Sequence, residues 1–177
     1  MTQDFPGVTI DVGGMGDYVA KADAKIRRVK DTYRKVKLGL PWKLPAVLVK
    51  DLVAYAVSCH NIRRTTSLNE NICPRVLFTG VPVDYKKELL LAFRDYVEAY
   101  EGTDNTSRAR SLACITLHPA GNVAGSWVLW KIKTRTRVRR SNVKKMVTTD
   151  IIIQAMNSVA NESQLEELEE LEEVVRQ

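Results

Sequence analysis

A chain of 177 residues is long enough for one ordinary domain, or for two small ones that pack on each other. With 45% hydrophobic and 27% charged residues it belongs among folded chains rather than disordered ones. It has no apolar run of about 18 residues and no basic-then-apolar leader, so neither a membrane span nor a secretory signal is expected, and the expected location is intracellular, nucleus or cytoplasm. Cys59, Cys73 and Cys114 form no CxxC pair and have two histidines to help them, which argues against a disulfide scaffold or a standard zinc module and for a reducing compartment.

The net charge of +6 hides a division. Residues 161–177 carry seven glutamates and one arginine, whereas residues 1–160 hold 26 basic and 14 acidic side chains. A body so basic calls for a polyanion or for the chain's own acidic end.

Residues 1–19 read as an irregular segment, loosened by Gly7, Gly13, Gly14 and Gly16. From about residue 20 to 37, Ile26, Val29, Tyr33 and Val36 recur at helical spacing among lysines and arginines, with Gly39 and Pro41 as the stop. A broader apolar face, Val47, Leu48, Leu52, Tyr55, Ala56, Cys59 and Ile62, predicts a second and more buried helix over 46–62, with Pro45 in its first turn. A polar connector at 65–69 follows, then a short element around 75–78 and about two helical turns over 85–91. The period then falls towards two. Strands are expected within 93–100, over 112–117 and, longest of all, over 127–140, with a turn at 102–105. A short helix lies within 148–160, with Asp150 as its N-cap, and an acidic helix begins at Ser163, because Ser163 and Glu166 have capping-box spacing. The division thus runs 1–19, a helical part at 20–92, a beta-rich module at 93–147, a short helix at 148–160 and an acidic tail at 161–177.

The segment 131–145 holds eight basic residues and no acid: Lys131, Lys133, Arg135, Arg137, Arg139, Arg140, Lys144 and Lys145. In an extended chain Trp130, Ile132, Thr134, Thr136 and Val138 point one way, and Lys131, Lys133, Arg135, Arg137 and Arg139 the other. A hairpin that pairs Ile132 with Val138 around a loop of Thr134, Arg135 and Thr136 would keep that separation. It would also set Lys133 against Arg137 and Lys131 against Arg139, a repulsion that phosphates would relieve. Three readings stay open: contact with nucleic acid through phosphates, a solvated basic face, and docking of the acidic tail. Trp127 and Trp130 are candidates for base stacking and for core. A second basic surface lies on the first helix, at Lys25, Arg27, Arg28, Lys30, Arg34 and Lys35.

Chemistry is thinly signalled. His60 and His118 belong to no close-spaced ligand set, the cysteines read as packing residues, and 13–16 is glycine-rich without GKS/GKT or GxGxxG. Neither metal nor other cofactor is expected.

Several phrases in order, "AKIRRVKDTYRKV", "LPWKLPAVLVKDLVAYAV", "ICPRVLFTGVPVDYKKELLLAFRDYVEAY", "GTDNTSRARSLACITLHPAGNVAGSWVLWKIKTRTRVRRSNVKKMVTT" and "IIIQAMNSVA", resemble the integrase region of the Pol polyprotein of copia-type LTR retrotransposons. The resemblance spans roughly residues 20–160, from the end of the catalytic core onward. It implies an α+β chain: a helical tail of an RNase H-like core, then a small SH3-like beta-rich module and the acidic helix. Two aspartates of the family's DDE metal triad have no counterpart, and Asp23 stands where the third carboxylate, a glutamate, is expected, one methylene short. The resemblance implies a non-catalytic fragment that binds DNA or RNA phosphates. The alternatives are a component of an active integrase completed by an upstream core, and a host-retained protein-interaction module; self-association is a further partnership open to it.

Overall fold

The computed structural model describes residues 20–63, 72–102 and 110–176, and for 20, 21 and 165–176 the backbone alone. The expected irregular segment 1–19, the connector 65–69, most of the turn at 102–105 and the acidic tail from residue 165 onward lie outside the described residues or side chains. The chain is α+β, with helices flanking an open antiparallel sheet. No described helix is long and apolar enough to cross a membrane.

Helix α1, Ala20–Leu38, follows the predicted stripe, and its Tyr33 and Val36 pack on the main core while Ile26 stays half exposed. The Gly39 amide closes it by donating to the carbonyls of Lys35 and Val36. A 3-10 turn, Ala46–Leu48, leads into α2, Val49–Asn61, so the second predicted helix begins with one tighter turn after Pro45. Leu48, Leu52 and Ala56, at helical spacing, bury completely and form the inner face of this unit. Helix α3, Pro74–Thr79, opens on a proline that needs no N–H and stops at Gly80, whose φ of 68° suits a residue without Cβ. Helix α4, Tyr85–Glu88, is one turn rather than two. The Asp84 carboxylate caps it through the Lys86 amide, and the turn is pinned to the sheet where the Trp127 indole donates to the Lys87 carbonyl.

Strands β1 (Tyr96–Tyr100), β2 (Ser111–Pro119), β3 (Trp127–Lys131), β4 (Arg137–Arg140) and β5 (Val143–Lys145) form one sheet in the order β4-β3-β2-β1-β5. Two residues, Ser141 and Asn142, join the strands at its opposite edges. Three Cα–Cα steps reach at most about 11 Å, whereas the edges of a flat five-stranded sheet stand roughly 19 Å apart. The sheet must therefore curl. Its concave side encloses one cluster, Leu91, Val97, Ala99, Cys114, Trp127 and Leu129. The other side carries Phe93, Ile115, Leu117, Val128 and Trp130, which share a core with Trp42, Leu48, Leu52 and Met156. Helical front and beta module thus close on the same apolar cluster.

The C-terminal part differs from expectation. Asp150–Arg176 is one continuous helix, α5, in place of a short helix followed by a separately capped acidic one. Ser163 is no cap, because its hydroxyl donates back to the Val159 carbonyl within the helix. Met156, Val159 and Ala160 are buried, and that burial carries the helix past the expected boundary. Asn157 Oδ1 accepts the Lys43 amide at 2.7 Å, fixing α5 to the segment before α2.

Candidate functional site

The predicted two-faced ribbon does not form. Leu129 pairs with Val138 and Trp130 with Arg137, so the register is shifted by an odd number of residues from the one that keeps the basic parity on one face. The hairpin turns through four residues, 132–135, closed by hydrogen bonds from Lys131 N–H to the Thr136 carbonyl and from Arg135 N–H to the Lys131 carbonyl. Arg135 takes the left-handed conformation, φ 54°, that the turn needs and that a glycine or asparagine would accept with less strain. This register sets Leu129 and Val138 against each other over the concave cluster, which the predicted one would not do. Arg137 and Arg139 consequently share the helix-facing side with Trp130 and Val128, whereas Lys131 lies opposite Cys114 over the concave cluster. Lys133 and Arg135 belong to the turn.

Arg137 is engaged inside the protein. Its Nε lies 3.1 Å from both oxygens of Asp51, and its Nη2 lies 2.7 Å from Oδ2 and 2.7 Å from the Val47 carbonyl. Its guanidinium also sits 5.4 Å over the Trp130 ring. Asp51 is 6% exposed, on the buried side of α2 beside Leu48, Leu52 and Tyr55. The hydrogen bonds that Arg137 donates to Asp51 raise the Arg137 pKa further, against a smaller opposing effect of burial. His118 joins this group because a bulge at Leu117 shifts the β2–β3 register and brings His118 opposite Val128, with Nε2 3.7 Å from Asp51. Its Nδ1 lies 3.0 Å from the Pro119 carbonyl.

Other members of the basic segment are also paired. Arg135 meets Glu162 of α5 at 2.5 Å, Arg140 lies 4.0 Å from Glu101, and Lys145 bonds Asp95 at 2.7 Å. Four of the eight cations are thus held in ion pairs. Lys131, Lys133, Arg139 and Lys144 enter none among the described residues. Trp127 and Trp130 are 1% and 2% exposed and are core residues, so neither offers a ring to a base.

The first helix presents the opposite situation. Among its six candidate cations Arg34 alone is ion-paired with a described residue, Asp31 at 3.3 Å. Lys25, Arg28 and Lys35 border a hollow of about 300 Å³ that His60 of α2 and Arg63 just beyond that helix complete. Its geometry is fixed by His60, whose Nε2 lies 2.8 Å from the Thr32 hydroxyl and 3.1 Å from the Arg28 carbonyl. Arg27, Lys30 and Arg34 flank a second hollow with Asp23. Asp23 thus stands among cations, and no group of three potential metal ligands converges among the described residues.

Burial pushes the Cys114 thiol up to about 11 and raises the Cys59 thiol, so both are poorer nucleophiles than an exposed cysteine. Sequence reasoning passed over Asp51. The available signal was a lone acid on the apolar side of a helix, which demands a buried cationic partner. Compared with protein-family models, curated proteins and solved structures, the chain matches none.

Proposed function

We infer that this chain is a non-catalytic nucleic-acid-binding fragment of a retrotransposon integrase region, and that it holds phosphates on α1 rather than on the β3–β4 hairpin. The observation that carries this reading is the hollow where Lys25, Arg28 and Lys35 converge with His60 and Arg63, with Asp31 as the acid on its border. Cations brought together without ion-pair partners among the described residues attract a polyanion and release its counterions on contact. The strand order, with edge strands joined by two residues, supports the SH3-like reading of the beta module. The resemblance to the copia-type Pol polyprotein supplies the family; the exposed charge supplies the partner, a DNA or RNA backbone. No base-reading element accompanies it, so phosphate contact is the expected mode.

The test is fluorescence anisotropy on duplex and single-stranded oligonucleotides across a salt series. Reversing Lys25, Arg28 and Lys35 to glutamate should weaken binding at least tenfold at low salt and lower the slope of log affinity against log salt by roughly 2 to 3. Reversing Lys133, Arg139 and Lys144 should do less. Equal affinity and slope for the α1 variant and the parent would reject the reading. The Arg135–Glu162 pair favours one further element of the proposal, in which α5 competes with phosphates for the hairpin tip.

A further inference from the structure

Among the described residues that border the α1 hollow, His60 is the one whose charge is not fixed near neutral pH. An imidazole gains or loses its proton between about pH 5 and 8, whereas lysine, arginine and aspartate keep their charges across that range. Its place is set by geometry. Nε2 lies 2.8 Å from the Thr32 hydroxyl and 3.1 Å from the Arg28 carbonyl, two groups four residues apart on α1, so the ring bridges successive turns of that helix from the α2 side. A hydroxyl and a carbonyl both accept, so a doubly protonated ring keeps these contacts.

The charged groups that share the hollow are Lys25, Arg28 and Lys35 of α1, Arg63 just beyond α2, and Asp31, whose carboxylate meets Arg34 at 3.3 Å. A phosphate strand laid there brings opposite charge towards the imidazole, and an opposite charge within about 4 to 6 Å favours the protonated ring. It also answers the four cations that a further positive charge would face. The direction follows from linkage: a ligand that favours the protonated form is itself bound more tightly by that form. The gain is complete below the titration midpoint of the free protein and is lost as pH rises through that of the complex.

We propose that His60 is a proton-linked member of the phosphate site on α1, so that binding of a nucleic-acid backbone takes up a proton and strengthens as the solution becomes mildly acidic. The inference rests on phosphate binding at α1 and adds its regulation by pH.

The probe is a duplex oligonucleotide without terminal phosphates, since a phosphate monoester itself titrates near about pH 6. Its affinity for the full chain is followed by fluorescence anisotropy at constant ionic strength. From about pH 7.5 to 5.5 the affinity should rise at least about threefold in the parent and stay level in His60→Gln, whose amide is neutral yet still donates hydrogen bonds. His118, the other histidine of the chain, is the control, and His118→Gln should keep the rise. The imidazole proton resonances of the parent give a second reading that needs no variant. The His60 midpoint should lie at least about 0.5 pH unit higher with oligonucleotide bound, and that of His118 should not move. Level affinity in a parent that binds would overturn the proton linkage and leave phosphate binding on α1 standing. A rise that survives in His60→Gln, or a His60 midpoint indifferent to oligonucleotide, would overturn it as well. Absence of binding at every pH would reject both readings.

Discussion

The β3–β4 hairpin with its β5 extension and helix α1 carry basic residues at comparable density, yet they differ in what those charges face. In the hairpin region Arg137 turns inward to Asp51, Arg135 reaches Glu162, Arg140 approaches Glu101 and Lys145 bonds Asp95. On α1 the cations stand along a surface helix with Asp31 as the engaged acid. The comparison teaches that a run of basic residues measures how much charge a segment carries, while the strand register decides how much of it reaches solvent. One odd step of register converts Arg137 from a phosphate contact into a structural clamp.

The comparison breaks first at Arg137. Arg137→Glu would place a second carboxylate against Asp51, and we expect it to destabilise the fold by at least about 3 kcal/mol in urea unfolding. Arg28→Glu on α1 should change stability by less than about 0.5 kcal/mol. Comparable effects at the two positions would show that the hairpin charge is not structural. Next in size is the coupling between Asp51→Ala and Arg137→Met in a double-mutant cycle, expected at about 1 to 2 kcal/mol. It falls below that of a fully buried pair because Arg137 is 42% exposed.

The strand beside the hairpin also has a pH signature. Cys114, wholly buried opposite Lys131, has its pKa raised from 9.0 to about 11 by burial. Its neutral form is favoured in the folded state, so its contribution is complete below pH 9.0. It is lost as pH rises towards 11, while the unfolded thiol ionises and the folded one does not. The loss should be on the order of 1 to 2 kcal/mol by pH 11. Unfolding midpoints measured against pH should fall less steeply in Cys114→Ala over that window. The smallest effect belongs to Glu162→Gln. Its partner Arg135 and Glu162 itself are about half exposed, so stability should move by less than about 0.5 kcal/mol. Oligonucleotide affinity at low salt should rise by less than about twofold if α5 competes at the hairpin tip.

Much of the helical part was legible because its signals are local. The stripe Ile26, Val29, Tyr33, Val36, ended by Gly39, is a property of consecutive residues, as is the Pro74 start and Gly80 stop of α3. The hairpin register was not legible, because it depends on partners distant in sequence. Alternation in 130–138 is equally compatible with either parity, and what selects one is the packing of Leu129 with Val138 and the approach of Asp51 from α2, 86 residues before Arg137. The merger of two predicted helices into α5 has the same cause: a capping-box spacing at Ser163 is weaker than the burial of Met156, Val159 and Ala160 on the far side of the core. The basic surface of α1 was visible as charge, but the contribution of His60 and Arg63 needed the packing of α1 on α2.

The seat of α5 sets an order of events during synthesis. Lys43 meets Asn157 across 114 residues, and Met156 fills a core whose other walls are Trp42, Leu48, Leu52 and Trp130. The meander β1–β2–β3–β4 pairs neighbouring segments, so it can assemble while the chain is still emerging. The strip from Trp42 to Leu52 can meet the sheet earlier, but its cover is not complete until residue 156 has left the ribosome. Until then a tryptophan and two leucines that end wholly or almost wholly buried lack the part of their cover that Met156 supplies, and loops that close late are the slow and aggregation-exposed steps of folding.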